Sequence, residues 1–347
     1  MTAYTLEELG WRPAFLQSLD LDREPVDDIA RISAVHRDTY EALSPQGELR
    51  LRPMPADTPV EDRPTVGDWV LVDTALERPA RVLERQTLFA RKAAGSGQDV
   101  QLIAANVDTA IIVSSCNDDF NLPRLERYLS LVREAGALPV IVLTKADLTD
   151  NPDDYAARAR RIASDCAVET LNALDTDELA KLTEWVGKNR TLAFLGSSGV
   201  GKTTLLNALT GKDEAVSGIR EGDGKGRHTT RGRSMHRMIN GGWAIDLPGM
   251  RELALTGTPS GIESTFDDML ALAGQCRFSD CRHEQEPGCA VQAAIANGEL
   301  DGDRLVRYRK LEKEVEHHDA SLAQRHSRAK ALGKHYRSVK QDRKSRR

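Results

Sequence analysis

The sequence predicts a multidomain fold: an all-β barrel, then an α/β domain built on a parallel sheet, then a small, mostly helical domain clamped by a metal. Three observations carry that prediction. Short β-rich runs broken by Pro and Gly fill the first part of the chain, strands alternate with helical periods through the middle, and Cys276, Cys281, His283 and Cys289 crowd into one late segment. A chain of 347 residues has room for two or three domains with a sizeable core.

Residues 1–31 form an acidic, weakly amphipathic extension (Leu6, Leu9, Trp11, Phe15, Leu16, Leu19) to which the sequence assigns no role. They lack a basic leader and an apolar h-region, and no apolar run approaches the roughly 18 residues of a membrane span. A cytoplasmic protein with no membrane partner is expected. Residues 32–103 contain Val66-Gly-Asp-Trp-Val-Leu-Val72 and Ala80-Arg-Val-Leu-Glu84, with breaks at Pro45, Gly47, Pro53, Pro55, Pro59 and Pro64, which suits a small β-barrel.

Residues 104–262 change period. Ala110–Ser114 is a continuous apolar strand, Pro123 opens a helix with Leu125, Tyr128, Leu129 and Val132 on one face, and Gly136 closes it. Pro139–Leu143 and Thr191–Leu195 are further strands, and Trp243-Ala-Ile245 delivers Asp246. Such alternation gives a parallel sheet whose ligands bind beyond the carboxyl ends of the strands. Residues 263–320 are helical around the cysteine cluster. The tail 321–347 is basic: from Arg325 onward ten Lys or Arg face one acid, so this stretch carries +9 while the rest of the chain carries −14. A basic arm on an acidic body can bind phosphate backbone by releasing counterions, although a solvated tail has the same composition.

Gly196-Ser-Ser-Gly-Val-Gly-Lys-Thr203 fits G-x-x-x-x-G-K-[ST] and sits between a strand and a helix, the context a phosphate loop requires. Backbone N–H groups from Gly196 through Ser197, Ser198, Gly199, Val200 and Gly201 to Thr204 would surround the phosphates, Lys202 would bridge the β- and γ-phosphates, and Thr203 would face Mg²⁺. Thr144-Lys-Ala-Asp147 supplies base choice. A carboxylate at Asp147 accepts from N1–H and the N2 amine of guanine, groups adenine lacks, while the Lys145 stem lies on the purine face; Ala146 belongs to the same GTP-binding motif. Asn172-Ala173 is the nearest candidate for a supporting base loop. GTP and GDP are therefore the expected ligands.

Asp246-Leu-Pro-Gly249 has D-x-x-G form, with Asp246 on the Mg²⁺ side and the Gly249 amide on the γ-phosphate. Residues 217–234 hold five glycines and no apolar period. There Thr229 and Thr230 are equal candidates for the second Mg²⁺-side threonine. Position 250, where a water-orienting Gln often stands, is Met250, and a thioether cannot orient water. His228 is the candidate substitute; a solvated loop histidine is the competing reading. The base-reading motif precedes the phosphate loop, the reverse of the usual order, so the α/β domain reads as a circularly permuted GTPase. This order joins the base-reading side to the N-terminal barrel and leads the Asp246 strand toward the C-terminal helices.

Cys276, Cys281, His283 and Cys289, spaced C-x4-C-x-H-x5-C, offer three thiolates and an imidazole, a closed tetrahedral set for one structural Zn²⁺. Taken in order, these pieces resemble the bacterial ribosome small-subunit-dependent GTPase A family, over about residues 32–320. Val66-Gly-Asp-Trp69, Ile103-Ala-Ala-Asn-Val-Asp108 and Gly-Arg-His-Thr-Thr230 also look like that family's pieces. The resemblance implies an OB-fold barrel that contacts ribosomal RNA, a permuted GTPase and a zinc domain. It also implies late action on the small (30S) ribosomal subunit, which stimulates hydrolysis; a monomer is expected. Asn172, where the family has Ser, and residues 1–31 depart from its pattern. The alternative is a nucleotide-switched rRNA-binding module whose hydrolysis is incidental. A P-loop kinase is disfavoured, because no phosphoacceptor site or lid is seen.

Overall fold

The computed structural model describes residues 4–20, 24, 28–92, 100–182, 184–185, 187–212, 233–247 and 260–315. They form two compact units divided between residues 254 and 255.

The first unit begins with antiparallel strands β1 (Ile29–Val35), β2 (Tyr40–Ser44), β3 (Gly47–Leu51), β4 (Trp69–Asp73) and β5 (Arg78–Val82). They pair in the order β3-β2-β1-β4-β5 over a core of Ala30, Ile32, Tyr40, Ala42, Leu51, Val70 and Val72. A second hairpin joins β6 (Leu88–Lys92) to β7 (Val100–Ala105). Strand β1 starts at Ile29, three residues before the expected start of the β region. Strand β4 starts at Trp69 and not at Val66, because a tight turn precedes it. Gly67 has φ +89°, and a Cβ there would lie 2.1 Å from the Ala105 carbonyl oxygen, so only glycine fits. The buried Asp68 carboxylate closes the turn by accepting from the Thr65 N–H at 2.7 Å, and the Arg85 guanidinium holds both its oxygens at 2.8 and 2.9 Å.

The parallel sheet comprises β8 (Thr109–Ser115), β9 (Leu138–Thr144), β10 (Ala167–Thr170), β11 (Thr191–Gly196) and β13 (Trp243–Asp246), in the order β10-β9-β8-β11-β13. Strand β12 (Arg233–Arg237) adds to β13 antiparallel. Helices α1 (Leu122–Glu134), α2 (Pro152–Ile162) and α3 (Lys202–Thr210) connect or follow these strands. Asn121 caps α1 by accepting from the Arg124 N–H, and the expected face of Leu125, Tyr128, Leu129 and Val132 is buried. Strands β8 and β11 are buried at every position, as central parallel strands must be.

The expected separation between the β region and the α/β domain is bridged in space. Strand β1 pairs with β12 through Ala34↔Ser234 and Val35↔Arg233, so one sheet runs through both. The chain enters the parallel sheet at β8, but the lateral pairing is at the far edge. Beyond β13, strand β12 would otherwise present an unpaired ladder of N–H and C=O groups.

The N-terminal extension is part of this unit's core. Leu9 and Phe15 are buried, and Trp11 meets Trp69 edge to face at 4.9 Å between centroids. The wholly buried Arg31 sits under the extension. It donates to the Leu9 carbonyl, to Thr191 Oγ1 at 2.7 Å and to the Asn106 carbonyl at 3.3 Å, with its guanidinium 5.4 Å from the Trp69 ring centre. Burial lowers the Arg31 pKa to about 10.

The second unit holds α4 (Ser260–Thr265), α5 (Asp267–Ala273), α6 (Ala290–Ala296) and a helical stretch over 302–315. Among the described residues its apolar core comprises Ile262, Phe266, Met269, Val291, Ala294, Leu300, Leu305, Leu311 and Val315. Arg304 stacks 5.2 Å over Phe266 and binds the Thr265 carbonyl and Asp268. Helix α4 begins at Ser260, so helical structure starts before the expected boundary at residue 263.

Candidate nucleotide site and metal centre

Strands β8, β9, β10, β11 and β13 all point the same way, so the loops that leave their carboxyl ends gather at one edge. Two of those loops are the phosphate loop and the base-reading motif. The register pairs Gly196 with Val113 and Phe194 with Asp246, setting the phosphate loop between the ends of β8 and β13.

The phosphate loop is shaped by backbone that only glycine tolerates. Gly196, Gly199 and Gly201 have φ of +149°, +81° and +98°, and a Cβ on Gly196 would come within 2.3 Å of the Val113 carbonyl oxygen. Gly201 is the N-cap of α3, so Lys202, Thr203 and Thr204 form the first helical turn, each half-buried. The open N–H groups and partial positive charge of such a turn suit an anion. Lys202 Nζ donates to the carbonyls of Gly196 (2.9 Å) and Ser197 (2.6 Å), holding the ammonium within the loop. Ser198 and Gly199 are exposed; Ser197 and Val200 are buried.

Thr144 connects the two motifs. Its buried hydroxyl donates to the Val200 carbonyl of the phosphate loop at 2.5 Å and lies 3.1 Å from the Ser114 carbonyl. A single threonine hydroxyl thus ties the base-reading motif to the phosphate loop. Lys145 follows in a left-handed conformation, φ +59°, which turns the chain sharply into the short 3-10 turn Ala146–Leu148. Asp147 is exposed in that turn.

The candidate base loop lies beside this motif: the Ala146 N–H donates to the Leu171 carbonyl at 3.4 Å. Asn172 accepts from the Leu174 N–H at 3.0 Å, a turn-making contact that a serine hydroxyl also provides. Its own N–H donates to Glu178, and that hydrogen bond is the largest cause lowering the Glu178 pKa.

Asp246 is half-buried at the carboxyl end of β13. Asp246 thus ends the strand next to β11, whose phosphate loop leads to Thr203 in the first turn of α3, a carboxylate and a hydroxyl of the kind that suit Mg²⁺. His228, Thr229, Thr230, Gly249, Met250 and the basic tail lie outside the described residues.

Sequence reasoning missed one contact at this edge. Arg124, in the first turn of α1, donates to the Ser197 hydroxyl of the phosphate loop and to both Asp119 oxygens at 3.0 and 3.1 Å. No motif marks it, because the three residues come from separate segments.

The four metal-ligand candidates converge, with their donor atoms all within 4.8 Å of one another. Cys276 Sγ lies 3.9 Å from Cys289 Sγ and 3.5 Å from His283 Nδ1, and Cys289 Sγ lies 3.4 Å from that nitrogen. A tetrahedral zinc with Zn–S near 2.3 Å and Zn–N near 2.0 Å implies edges of about 3.5–3.8 Å, so the set fits. Desolvation works against the Cys276 thiolate, but N–H groups of Ala290 and Val291 at the start of α6, with the neighbouring thiols, lower its pKa overall. Cys281 is raised to about 11, with desolvation the largest cause and Cys276 adding to it. A bound cation would relieve that repulsion. Gln292 donates to the His283 carbonyl at 2.6 Å, and Glu286 accepts from the N–H groups of Arg282, Glu284 and Gln285, fixing the ligand loop.

Comparison with known proteins gives the same pattern. The family model described as RsgA GTPase matches residues 82–256. The chain is 48% identical over 340 residues to "Small ribosomal subunit biogenesis GTPase RsgA 2" of Vibrio vulnificus, covering 98% of this chain and 96% of that one. It is 45% identical over 320 residues to "Small ribosomal subunit biogenesis GTPase RsgA" of Mesorhizobium japonicum, covering 90% of each. Among solved structures, YjeQ from Thermotoga maritima aligns with TM-score 0.60 at 25% identity, over 83% of this chain and 98% of that chain. YloQ, described as a circularly permuted GTPase, aligns with TM-score 0.61 at 25% identity, over 85% of this chain and 97% of its own.

Proposed function

Because the chain belongs to the RsgA GTPase family, and is thereby a GTP-hydrolysing enzyme, we propose that it assists biogenesis of the small ribosomal subunit in the cytoplasm as a monomer, with hydrolysis stimulated by that subunit. The observation that best supports a GTP site is the Thr144 hydrogen bond to Val200, which ties the base-reading motif to the phosphate loop at the carboxyl edge of one parallel sheet.

In this reading Asp147 accepts from guanine while Lys145 covers the ring. The N–H groups of residues 196–204 and the Lys202 ammonium hold the phosphates, in-line with attacking water. Thr203, Asp246 and one of Thr229 or Thr230 would hold Mg²⁺, which would neutralise charge developing on the phosphate oxygens. The Gly249 amide contacts the γ-phosphate, and His228 orients water in place of the missing glutamine. The four Cys and His ligands would hold one structural Zn²⁺ that fastens the second unit and leaves no open position for catalysis. Strands β1–β7 serve as an OB-type barrel whose basic residues, Arg50 and Arg52 among them, meet ribosomal RNA, and the tail adds charge.

A GTPase assay with and without saturating small subunits tests the function. Stimulation well beyond tenfold is expected; less than about tenfold, roughly 1.4 kcal/mol of barrier, would favour a nucleotide-switched RNA-binding module instead. For base choice, Asp147→Asn should lose guanine preference and gain xanthine nucleotides, since xanthine carries a carbonyl in place of the amine. Unchanged GTP affinity in that variant would remove Asp147 from the site.

A further inference from the structure

Residues 4–12 reach the two strands that frame the nucleotide edge at their opposite, amino ends, β13 directly and β11 through Arg31. The turn is self-braced: Glu8 accepts from the Thr5 N–H at 2.8 Å, and the Glu8 N–H donates to Thr5 Oγ1 at 3.1 Å. Its two successive carbonyls then point to different partners. The Glu8 carbonyl accepts from Arg237 Nη1 at 2.7 Å and from Trp243 Nε1 at 2.9 Å. The Leu9 carbonyl accepts from buried Arg31, whose other nitrogen binds Thr191 Oγ1 at 2.7 Å. Thr191 opens β11, the strand that ends in the phosphate loop, and Trp243 opens β13, which ends in Asp246.

Ring contacts reinforce the tie. The Arg237 guanidinium lies 5.3 Å from the Tyr4 ring centre and 5.1 Å from that of Trp243, and Tyr4 meets Trp243 edge to face at 5.6 Å. Arg237 and Trp243 are also cross-strand partners of β12 and β13. Trp243 is paired with Thr191 across β13 and β11, so the turn sits over the register that sets Asp246 against the phosphate loop.

We infer that the N-terminal segment is a positioning element for GTP hydrolysis, acting through Arg237 and Trp243 on the strand that carries Asp246. The inference rests on the proposed role of Asp246. Nucleotide affinity is drawn from Lys202, the loop amides and Asp147, none of which the segment touches. The spacing between β11 and β13 matters most when charge moves on the γ-phosphate, so loosening the tie should lower kcat and spare KM.

The test uses the full chain with saturating small subunits and compares wild type, the double variant Arg237→Met with Trp243→Phe, and Asp246→Ala. The double variant keeps an aromatic ring and removes both donors to the Glu8 carbonyl. A fall in kcat of about tenfold with unchanged KM is expected, within the range that sub-ångström to ångström misplacement produces. Wild-type kcat in the double variant beside an impaired Asp246→Ala overturns the inference alone, as does a loss expressed wholly in KM. Wild-type kcat in Asp246→Ala overturns the site reading and the inference with it. Should the double variant lose its thermal transition, Tyr4→Ala at a half-buried residue supplies the same kcat and KM comparison.

Discussion

The parallel sheet buries Ile111, Val113, Val140, Val142, Leu192, Phe194 and Ala244 against Val200 of the phosphate loop and Leu205 and Leu206 of α3. The cysteine-bearing unit, by contrast, has among its described residues short helices α4 to α6, a smaller set of large buried side chains, and four ligand atoms converging between α5 and α6. The first region is held by apolar surface removed from water and should be indifferent to metal. The second has a small core among its described residues, and on the zinc reading proposed above a metal cross-link would supply what that core lacks. On that reading the difference teaches that one chain can draw on two sources of stability, and separate perturbations test whether they are independent.

Metal removal should break the comparison open most widely. Structural zinc contributes roughly 10–16 kcal/mol in small domains that fold around it, far more than this core can replace. Chelation, or Cys281→Ser, should abolish amide protection over 260–315 while guanine nucleotide binding by the first unit persists. About one zinc per chain is expected by metal analysis; protection unchanged after complete chelation would assign that unit's stability to its core.

The reverse experiment is Phe194→Ala. Phe194 is fully buried two residues before Gly196, and such truncations cost about 3–5 kcal/mol through lost transfer energy and the cavity left behind. Denaturant unfolding of the first unit should shift by that amount while zinc content stays at one. Loss of zinc with loss of the sheet would mean the two regions share their stability.

A smaller effect probes one helix. Asn121 accepts from the Arg124 N–H at 3.0 Å as the N-cap of α1, and Asn121→Ala should cost about 1 kcal/mol. Asn121→Ser, which keeps a capping acceptor, serves as reference; losses equal to those of Asn121→Ala would mean the cap is irrelevant.

The sheet was legible in the sequence because its information is local: apolar runs such as Ala110–Ser114, Pro123 at a helix start, and glycines that a phosphate loop demands. The metal cluster was legible for the same reason, since its four ligands lie within fourteen residues of sequence. What escaped was everything that joins distant segments. Leu9, Trp11 and Phe15 made a visible apolar face, but nothing local says that it covers Trp69 or that the Glu8 carbonyl caps Trp243. The β1–β12 pairing was equally hidden, because edge pairing uses backbone groups that every residue carries. Arg31 reads as a surface cation in any composition argument and is wholly buried, its donors aimed at the carbonyls of Leu9, Gly67 and Asn106 and at the Thr191 hydroxyl.

The smallest expected effect concerns the far end of the N-terminal segment, where Glu24 meets Arg81. The carboxylate accepts from Arg81 Nε at 2.9 Å and Nη2 at 2.5 Å, while Arg81 Nη2 also holds the Ser18 carbonyl. That hydrogen bond, aided by the Asp20 N–H, holds the Glu24 carboxyl at about 2 against an ordinary 4.5. The folded protein therefore keeps Glu24 charged at pH values where the unfolded chain has already taken up a proton. Its contribution is complete above about pH 4.5 and is lost as pH falls from there toward 2. Glu24→Gln should accordingly lower stability slightly at pH 7, with a smaller gap from wild type at pH 3.5, read by denaturant unfolding of the first unit. Partial solvent access at this pair keeps the effect below that of the α1 cap. A gap that widened on acidification would show that Glu24 is better placed when neutral, and the ion pair would then be removed from the account of how the segment is anchored.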